Sequence, residues 1–479
     1  MDNLKEKLDR IFNPKVVAVV GAKKDNNYNW LRSQSPVKEL GGKVYHVNID
    51  KNEWPGAEEL GFQNFSSLMD IPEPVDYVIV SVPAQVTPFI MKDAVAKGVG
   101  GIHFFTAGFS ETGTKEGADL EMGIKKMAED AGIPVIGPNC MGIFHPKVGL
   151  RQSGDQAYGE DGFMAYISQS GTQASGFSME AKASGLNISK SISFGNGTVV
   201  DCTEFLEYLG DDPQTKLIGM YLEGARDGRK FFRVLRETAR KKPVLVWKVG
   251  LTEDSARATE SHTRSVSSSR SLWDSLIHQS GAIAATGAEE IAATAKALIN
   301  LPPMTGNRAA LLGVSGGHAS ELTEVFASTG LRVPAIADSA IDEIASYASR
   351  VGGSFRNPFE GPSIRPNENL DKTLTIIGND PNIDFVVMEV AAGNKIRDPE
   401  FINSRVKGIQ NFQKAFPNKA ISVVITTTNP YVETVNVREM ERDFAKEGIV
   451  AFQGMERGAR ALLNAYDYYT QREYLYGPE

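Results

Sequence analysis

The sequence predicts an α/β chain of three consecutive parallel-sheet units. Three observations carry this. Short β-branched apolar runs alternate with helix-length stretches along the whole chain; the intervening stretches repeat apolar residues at helical spacing; and the pattern restarts twice, near Gly162 and after the Pro-containing link LPPMTG at 301–306. Strand–helix alternation calls for parallel strands joined by right-handed crossovers. A length of 479 residues suits several such units rather than one.

The first unit, expected over 1–143, reads as VVAVVG (16–21), KVYHVNI (43–49), DYVIVSVP (76–83), GIHFFTAG (101–108) and PVIGPN (134–139). Val86 to Lys97 and Leu120 to Ala131 supply helices between them. The second unit, expected over 144–300, follows as FMAYISQSG from Phe163, LNISKSISFG (186–195), KLIGMYLEG (216–224) and PVLVWKVG (243–250). The third, over 307–479, reads RAALLGVSGG (308–317), FVVMEVAAG (385–393) and AISVVITTT (420–428). The units are Rossmann- or flavodoxin-like, and such sheets bind ligands at the carboxyl ends of their strands. No short solenoid repeat or low-complexity tract interrupts them.

Composition narrows the function classes. The chain is 41% hydrophobic and 23% charged, a globular balance, and its net charge of -8 gives no basic footprint for nucleic acid or an anionic membrane. Two cysteines, Cys140 and Cys202, exclude a secreted disulfide framework and a Cys-rich zinc site, which points to reducing cytoplasm, and no metal site is read on this chain. The charged start MDNLKEKLDRIF lacks the apolar core of a signal peptide, and no run approaches a membrane span, so neither export nor a membrane is expected.

Six histidines are present, at 46, 103, 145, 262, 278 and 318. His46 and His103 fall inside strand patterns, where a structural role is the simpler reading. His262 lies in the polar run RATESHTRSVSSSR (257–270), just beyond PVLVWKVG, where a loop at the sheet's carboxyl end presents it to ligand; a plain surface loop gives the same pattern. In YISQSGTQASG (166–176), Ser168, Ser170, Gly171 and Thr172 stand where a strand turns into a helix. Amides at the positive end of a helix bind anions, although an ordinary N-cap looks alike. Glu223, at the end of YLEG, is either a carboxylate able to orient a histidine or a solvated strand end. Together the anion-binding turn, the histidine and the glutamate describe a phosphohistidine site. GVSGGHA (313–319) offers a similar turn in the third unit, and neither turn is a Walker A motif.

With these residues in view, the chain resembles the first subunit of nucleoside-diphosphate-forming acyl-CoA synthetases, the ADP-forming acetate–CoA ligase relatives of succinyl-CoA synthetase. The matching segments span nearly the whole chain: VNIDK (47–51), VDYVIVSVPA (75–84), TAGFSETG (106–113), PVIGPNCMGI (134–143), ISQSGT (167–172), SFGNGTVVDCTEFLEYLGDDPQTKLIGMYLEGARDGR (193–229), KPVLVWKVGLTEDSARATESHT (242–263), GLRVPAI (330–336) and RNPFE (356–360). The resemblance implies an acyl phosphate that CoA sulfur attacks, with phosphate relayed by a histidine matching His262, held by Glu223 and stabilised at 168–172. Covalent phosphate transfer of this kind divides one difficult step into two. It implies that the first unit, a Rossmann-like domain, binds CoA through Gly21, Ala22, Lys23, Val47, Asn48, Val82, Pro83, Ala107, Gly108 and Asn139, and that two flavodoxin-like ligase domains follow. It further implies an ATP-grasp partner subunit that supplies Mg-ATP/ADP, hence a hetero-oligomer acting on a small carboxylic acid.

The chain departs from the family at two places. GAKKDNNYNW (21–30) has Lys23 and Trp30 where a serine and a glycine are usual, so Lys23 or Lys24 is offered to a CoA phosphate; the same turn lacks the GxGxxG of nicotinamide sites, and Asp50 is followed by Lys51. After His262, Arg264 to Ser268 (RSVSS) replace a small-residue GSLAG pattern, losing two glycines from a loop that must swing. Arg264 either hinders that motion or pairs with the phosphate. A CoA sensor without phosphotransfer and a nucleotide-independent acyl-CoA enzyme therefore stand as alternatives to the synthetase.

Overall fold

A computed structural model describes residues 2–263, 269–313, 315–349, 351–365, 367–427 and 429–477. Two compact units emerge, one of residues 1–182 and 187–288, the other of 183–186 and 289–479.

The first unit holds two six-stranded sheets. In one, β1 (Val16–Val20), β2 (Lys43–Val47), β3 (Gln63–Phe65), β4 (Tyr77–Val80), β5 (Gly101–Phe104) and β6 (Val135–Ile136) are all parallel in the order β3-β2-β1-β4-β5-β6. That is the Rossmann order, with its switch point between β1 and β4. In the other, β7 (Gly142–Phe144), β8 (Met164–Ser168), β9 (Ile188–Ser193), β10 (Leu217–Leu222), β11 (Val244–Lys248) and β12 (Ile283–Ala285) run β12-β11-β10-β8-β9-β7. Without β7 this is the flavodoxin order, whose switch point lies between β8 and β10. The edge strand β7 is antiparallel to β9 and straddles the expected limit at residue 143.

These strands are the continuous apolar runs of the sequence because both faces are covered. Every residue of β1, β4, β8 and β10 is buried. One face of each sheet contributes to a single core, in which Val17, Val19 and Ile79 join Ile167, Ile218 and Phe205. The two sheets therefore fold as one body.

The second unit carries one parallel sheet, β13 (Ala309–Leu312), β14 (Phe385–Ala391), β15 (Ala420–Thr426) and β16 (Ala451–Gln453), in that order. On the free side of β13 the described chain returns as single parallel bridges, Arg308 with Arg332 and Leu312 with Phe359. The flavodoxin order is thus present with its second strand reduced, among the described residues, to isolated bridges. No described helix is long and apolar enough to cross a membrane.

Candidate active site at the sheet edges

At the switch point of the second sheet, β8 ends at Ser168 and the helix Gly171–Ala183 begins three residues later. The turn is tied locally. Ser168 Oγ donates to the Ser170 carbonyl at 2.7 Å, and Ser170 Oγ accepts from the Gln173 N–H at 3.4 Å as an N-cap. Gly171 has no side chain because Met141 stands there: a Cβ would lie 2.6 Å from Met141 Cγ. Helix-start amides at residues 171–172 thus occupy the carboxyl edge, where the helix dipole favours an anion.

Across the crevice, β10 delivers Glu223, which is only 5% exposed. The two sides are locked by a residue that sequence reasoning passed over. Gln169 donates its own N–H to the Tyr221 carbonyl, and its side-chain oxygen accepts from the Glu223 N–H at 2.9 Å and the Gly224 N–H at 3.1 Å. Tyr221 OH donates to Glu223 Oε1 at 3.2 Å, and burial with the adjacent carboxylate pushes that phenol well above its ordinary pKa. Lys248, the last residue of β11, was also missed. Its ammonium donates to the Glu223 carbonyl at 2.9 Å and to the Val249 carbonyl, and burial holds its pKa below the usual lysine value. The turn at 168–172 and Glu223 are therefore brought together across this switch point.

His262 sits in the helix Glu253–Thr263, a correction to the loop expected for 257–270. The run is polar throughout, so no apolar periodicity announced it. What starts the helix is a reciprocal cap, Thr252 N–H to Ser255 Oγ at 3.0 Å and Ser255 N–H to Thr252 Oγ1 at 3.2 Å, with Glu253 and Asp254 in the first turn. This helix lies beside the 3-10 turn Ser110–Thr112. The side chain of His262 and all of Arg264 to Ser268 lie outside the described residues.

The residues expected to hold CoA all fall at the carboxyl edge of the first sheet. Gly21, Ala22 and Lys23 follow β1; Val47 ends β2 and Asn48 follows it; Val82 and Pro83 follow β4, Ala107 and Gly108 follow β5, and Asn139 follows β6. Hydrogen bonds stitch these turns to one another. Gly21 N–H donates to the Val47 carbonyl at 3.0 Å, Asn48 Nδ2 to the Ala22 carbonyl at 3.0 Å, Thr106 Oγ1 to the Val82 carbonyl at 2.7 Å and Asn139 N–H to the Thr106 carbonyl at 2.9 Å. Gly21 has φ +85°, and a Cβ there would meet the Ser81 carbonyl oxygen at 2.7 Å, so backbone approaches backbone across the switch point.

The unusual first turn folds on itself. Lys24 N–H and Tyr28 OH both donate to Glu53, at 2.7 and 2.9 Å, and Trp30 is buried edge-on against His103 and Phe105. Lys23 is exposed, its ammonium 3.3 Å from Asp25. His46 and His103 are wholly buried and bond the Ala22 and Cys140 carbonyls, the structural role expected of them. Among the described residues no group of three or more His, Cys, Asp or Glu side chains is placed to hold a metal ion.

Two family models match the chain: a CoA-binding domain over residues 15–146 and a succinyl-CoA-ligase-like flavodoxin domain over residues 161–298. Among curated relatives, the alpha subunit of ADP-forming acetate–CoA ligase II of Pyrococcus furiosus is 32% identical over 79% of this chain and 81% of its own length. ADP-forming acetate–CoA ligase I of Archaeoglobus fulgidus is 33% identical over 79% of this chain, which spans only 54% of that longer protein. Among solved structures, the dinucleotide-forming acetyl-coenzyme A synthetase 1 of Ca. Korarchaeum cryptofilum, in complex with phosphate and ADP, superposes with a TM-score of 0.81 at 28% identity, covering 98% of each chain.

Proposed function

The chain belongs to the nucleoside-diphosphate-forming acyl-CoA synthetase family, and on that premise we propose that it is the α-type chain of an acid–thiol ligase. The ligase interconverts a carboxylic acid, CoA and ATP with acyl-CoA, ADP and phosphate. The observation that carries this reading is the switch point of the second sheet, where Gln169 fastens the helix-start turn at 168–172 to Glu223.

In this reading a phosphate dianion rests on the amides of residues 171–172 while His262 accepts or returns the phosphoryl group. Oriented main-chain amides stabilise charge there without reorganising during the reaction. Glu223, held by its own N–H and by Lys248 on its carbonyl, fixes the imidazole so that one nitrogen carries the proton and the other attacks. Acyl phosphate then presents phosphate as leaving group to the CoA sulfur. CoA lies along Gly21 to Lys23, Val47, Asn48, Val82, Pro83, Ala107, Gly108 and Asn139, whose turns already share hydrogen bonds and pack backbone against backbone at Gly21.

Mg-ATP is assigned to an ATP-grasp partner chain, making a cytoplasmic hetero-oligomer. The longer relative from Archaeoglobus fulgidus keeps nearly half its length outside the matched part, room for such a module on the same chain. The test is labelled Mg-ATP added to this chain co-expressed with an ATP-grasp protein, without acid or CoA. Acid-labile, base-stable label on this chain, lost in His262→Ala, is the expected result. Absence of label while CoA still binds would sink the relay and leave a CoA sensor.

A further inference from the structure

The second compact unit contains a buried cation with no salt-bridge partner among the described residues. Arg405, in the helix Pro399–Ala415, is 2% exposed. One guanidinium nitrogen, Nη2, donates to the Ile364 carbonyl at 2.8 Å, and the other, Nη1, is fully buried with no hydrogen-bond partner. The guanidinium lies 4.2 Å from the centre of the Phe401 ring, and Arg365 lies over the same ring at 5.2 Å. Both arginines line a cavity of about 10 Å³ at the carboxyl edge of the third sheet, beside Leu312 and Gly313 at the end of β13.

The carboxylate that would ordinarily neutralise Arg405 is present but committed elsewhere. Glu389 of β14 lines the same cavity, yet its Oε1 receives the His318 ring at 2.5 Å and Thr426 Oγ1 at 2.8 Å. His318 is held more basic than usual by that contact, which ties the Glu389 carboxylate to the imidazole. No described acidic group lies within ion-pair distance of Arg405. Burial and the neighbouring Arg365 lower its pKa only to about 10, which leaves it charged at neutral pH. Two guanidinium groups then face one small hole whose only acid is already paired, and a buried charge of this kind requires an anion.

We propose that this cavity is a binding site for a small oxyanion, one oxygen of which enters between Arg405 Nη1 and Arg365. The cavity admits about one oxygen-sized atom, so the rest of the ion stays outside it. A carboxylate and inorganic phosphate share this chemistry, and planar guanidinium donors suit both. The site lies wholly within the second unit and does not depend on phosphate relay by His262.

The test is calorimetric titration of the full chain, without nucleotide, with acetate and separately with inorganic phosphate, comparing wild type, Arg405→Met and Arg365→Met. Arg365 is exposed, so its variant folds even where Arg405→Met does not. The expected result is saturable binding of one of the two anions, weakened at least tenfold in each folded variant. Acetate binding alone identifies a carboxylate site, and phosphate binding lost in the variants identifies a phosphate site separate from residues 168–172. Binding unchanged in Arg365→Met, or no saturable heat from either anion in wild type, overturns the proposal and leaves a water in the cavity.

Discussion

Replacing Gln169 by methionine tests whether the two sides of the second sheet's switch point are fastened as described. The change keeps chain length and most of the volume but removes the oxygen that accepts from the N–H groups of Glu223 at 2.9 Å and Gly224 at 3.1 Å. A buried donor stripped of its acceptor costs about 1–3 kcal/mol. Glu223 is 5% exposed and bears the full penalty, whereas Gly224 is half-buried and recovers part of its loss from water. The expected loss is therefore about 2–4 kcal/mol. All four tryptophans lie between residues 30 and 273, inside the first compact unit, so tryptophan fluorescence during urea unfolding reads the unit concerned. Gln169→Glu is the companion variant, because it retains the acceptor and adds a negative charge beside the proposed phosphate. It is expected to keep most of the stability and to lose phosphorylation of His262. A Gln169→Met variant that unfolds within about 0.5 kcal/mol of wild type would show that the clamp contributes nothing beyond an ordinary surface contact.

Two further outcomes follow from the first sheet. Gly21→Ala places a Cβ at φ +85°, 2.4 Å from Val82 Cγ1 and 2.7 Å from the Ser81 carbonyl oxygen. Backbone must move to admit it, so CoA affinity measured by calorimetry is expected to fall at least tenfold, and unchanged affinity would refute the close approach as part of the CoA edge. His103 is buried with its Nε2 on the Cys140 carbonyl and its Nδ1 unpartnered, and burial pushes its pKa down from 6.5 to about 4. The folded state refuses a proton that the unfolded chain accepts below pH 6.5, so this residue erodes stability as pH falls from 6.5 towards 4 and adds nothing further below that. The loss amounts to about 2–3 kcal/mol by pH 4.5. His103→Gln keeps a donor without the titration, and the wild-type deficit between pH 7 and 4.5 should shrink by about that amount in the same fluorescence assay. An equal deficit in both proteins would mean that His103 protonates freely in the fold.

Where the fold was legible, a strand was buried on both faces and so left a continuous apolar run, as in VVAVV of β1 and LIGMYL of β10. The strands that escaped notice are short edge pieces such as Gln63–Phe65, with no fully buried residue, and Gly142–Phe144, whose partner is far along the chain. The helix bearing His262 was misread because caps and charges, rather than an apolar stripe, determine it. At the candidate site, Glu223 and residues 168–172 drew attention in the sequence because their types and positions at strand ends suit the proposed chemistry. Gln169 was not, since its value lies in reaching an amide 54 residues away. Arg405 was equally silent, because one arginine among many in a helix gains meaning only when its burial and its hydrogen bond to a carbonyl are seen.

The two sheets of the first unit are joined at the edge where the chemistry is proposed to occur. The turn Gly137–Asn139, at the CoA edge, receives Asn196 N–H on the Pro138 carbonyl and Thr198 N–H on the Gly137 carbonyl, and Gly195 comes so close that a Cβ would meet the Pro138 carbonyl oxygen at 2.3 Å. Glu111, whose carboxylate also holds the Gly108 N–H, accepts from Asn196 Nδ2 at 2.7 Å, while Glu121 accepts from Asn196 at 3.0 Å and Thr198 at 2.6 Å. Segment 194–198 in turn follows β9, whose neighbour β8 leads into the turn at 168–172, and Phe194 N–H bonds the Ser168 carbonyl at 2.9 Å. A chain of main-chain and carboxylate contacts thus runs from Gly108 through residues 194–198 to Ser168. On the proposed assignment of CoA and phosphate to these pinned loops, a relay that carries phosphate away from a nucleotide requires the histidine segment to move against this frame. Disrupting the frame at Asn196 should then weaken CoA binding and phosphorylation together, whereas changes in the histidine segment should affect phosphorylation alone.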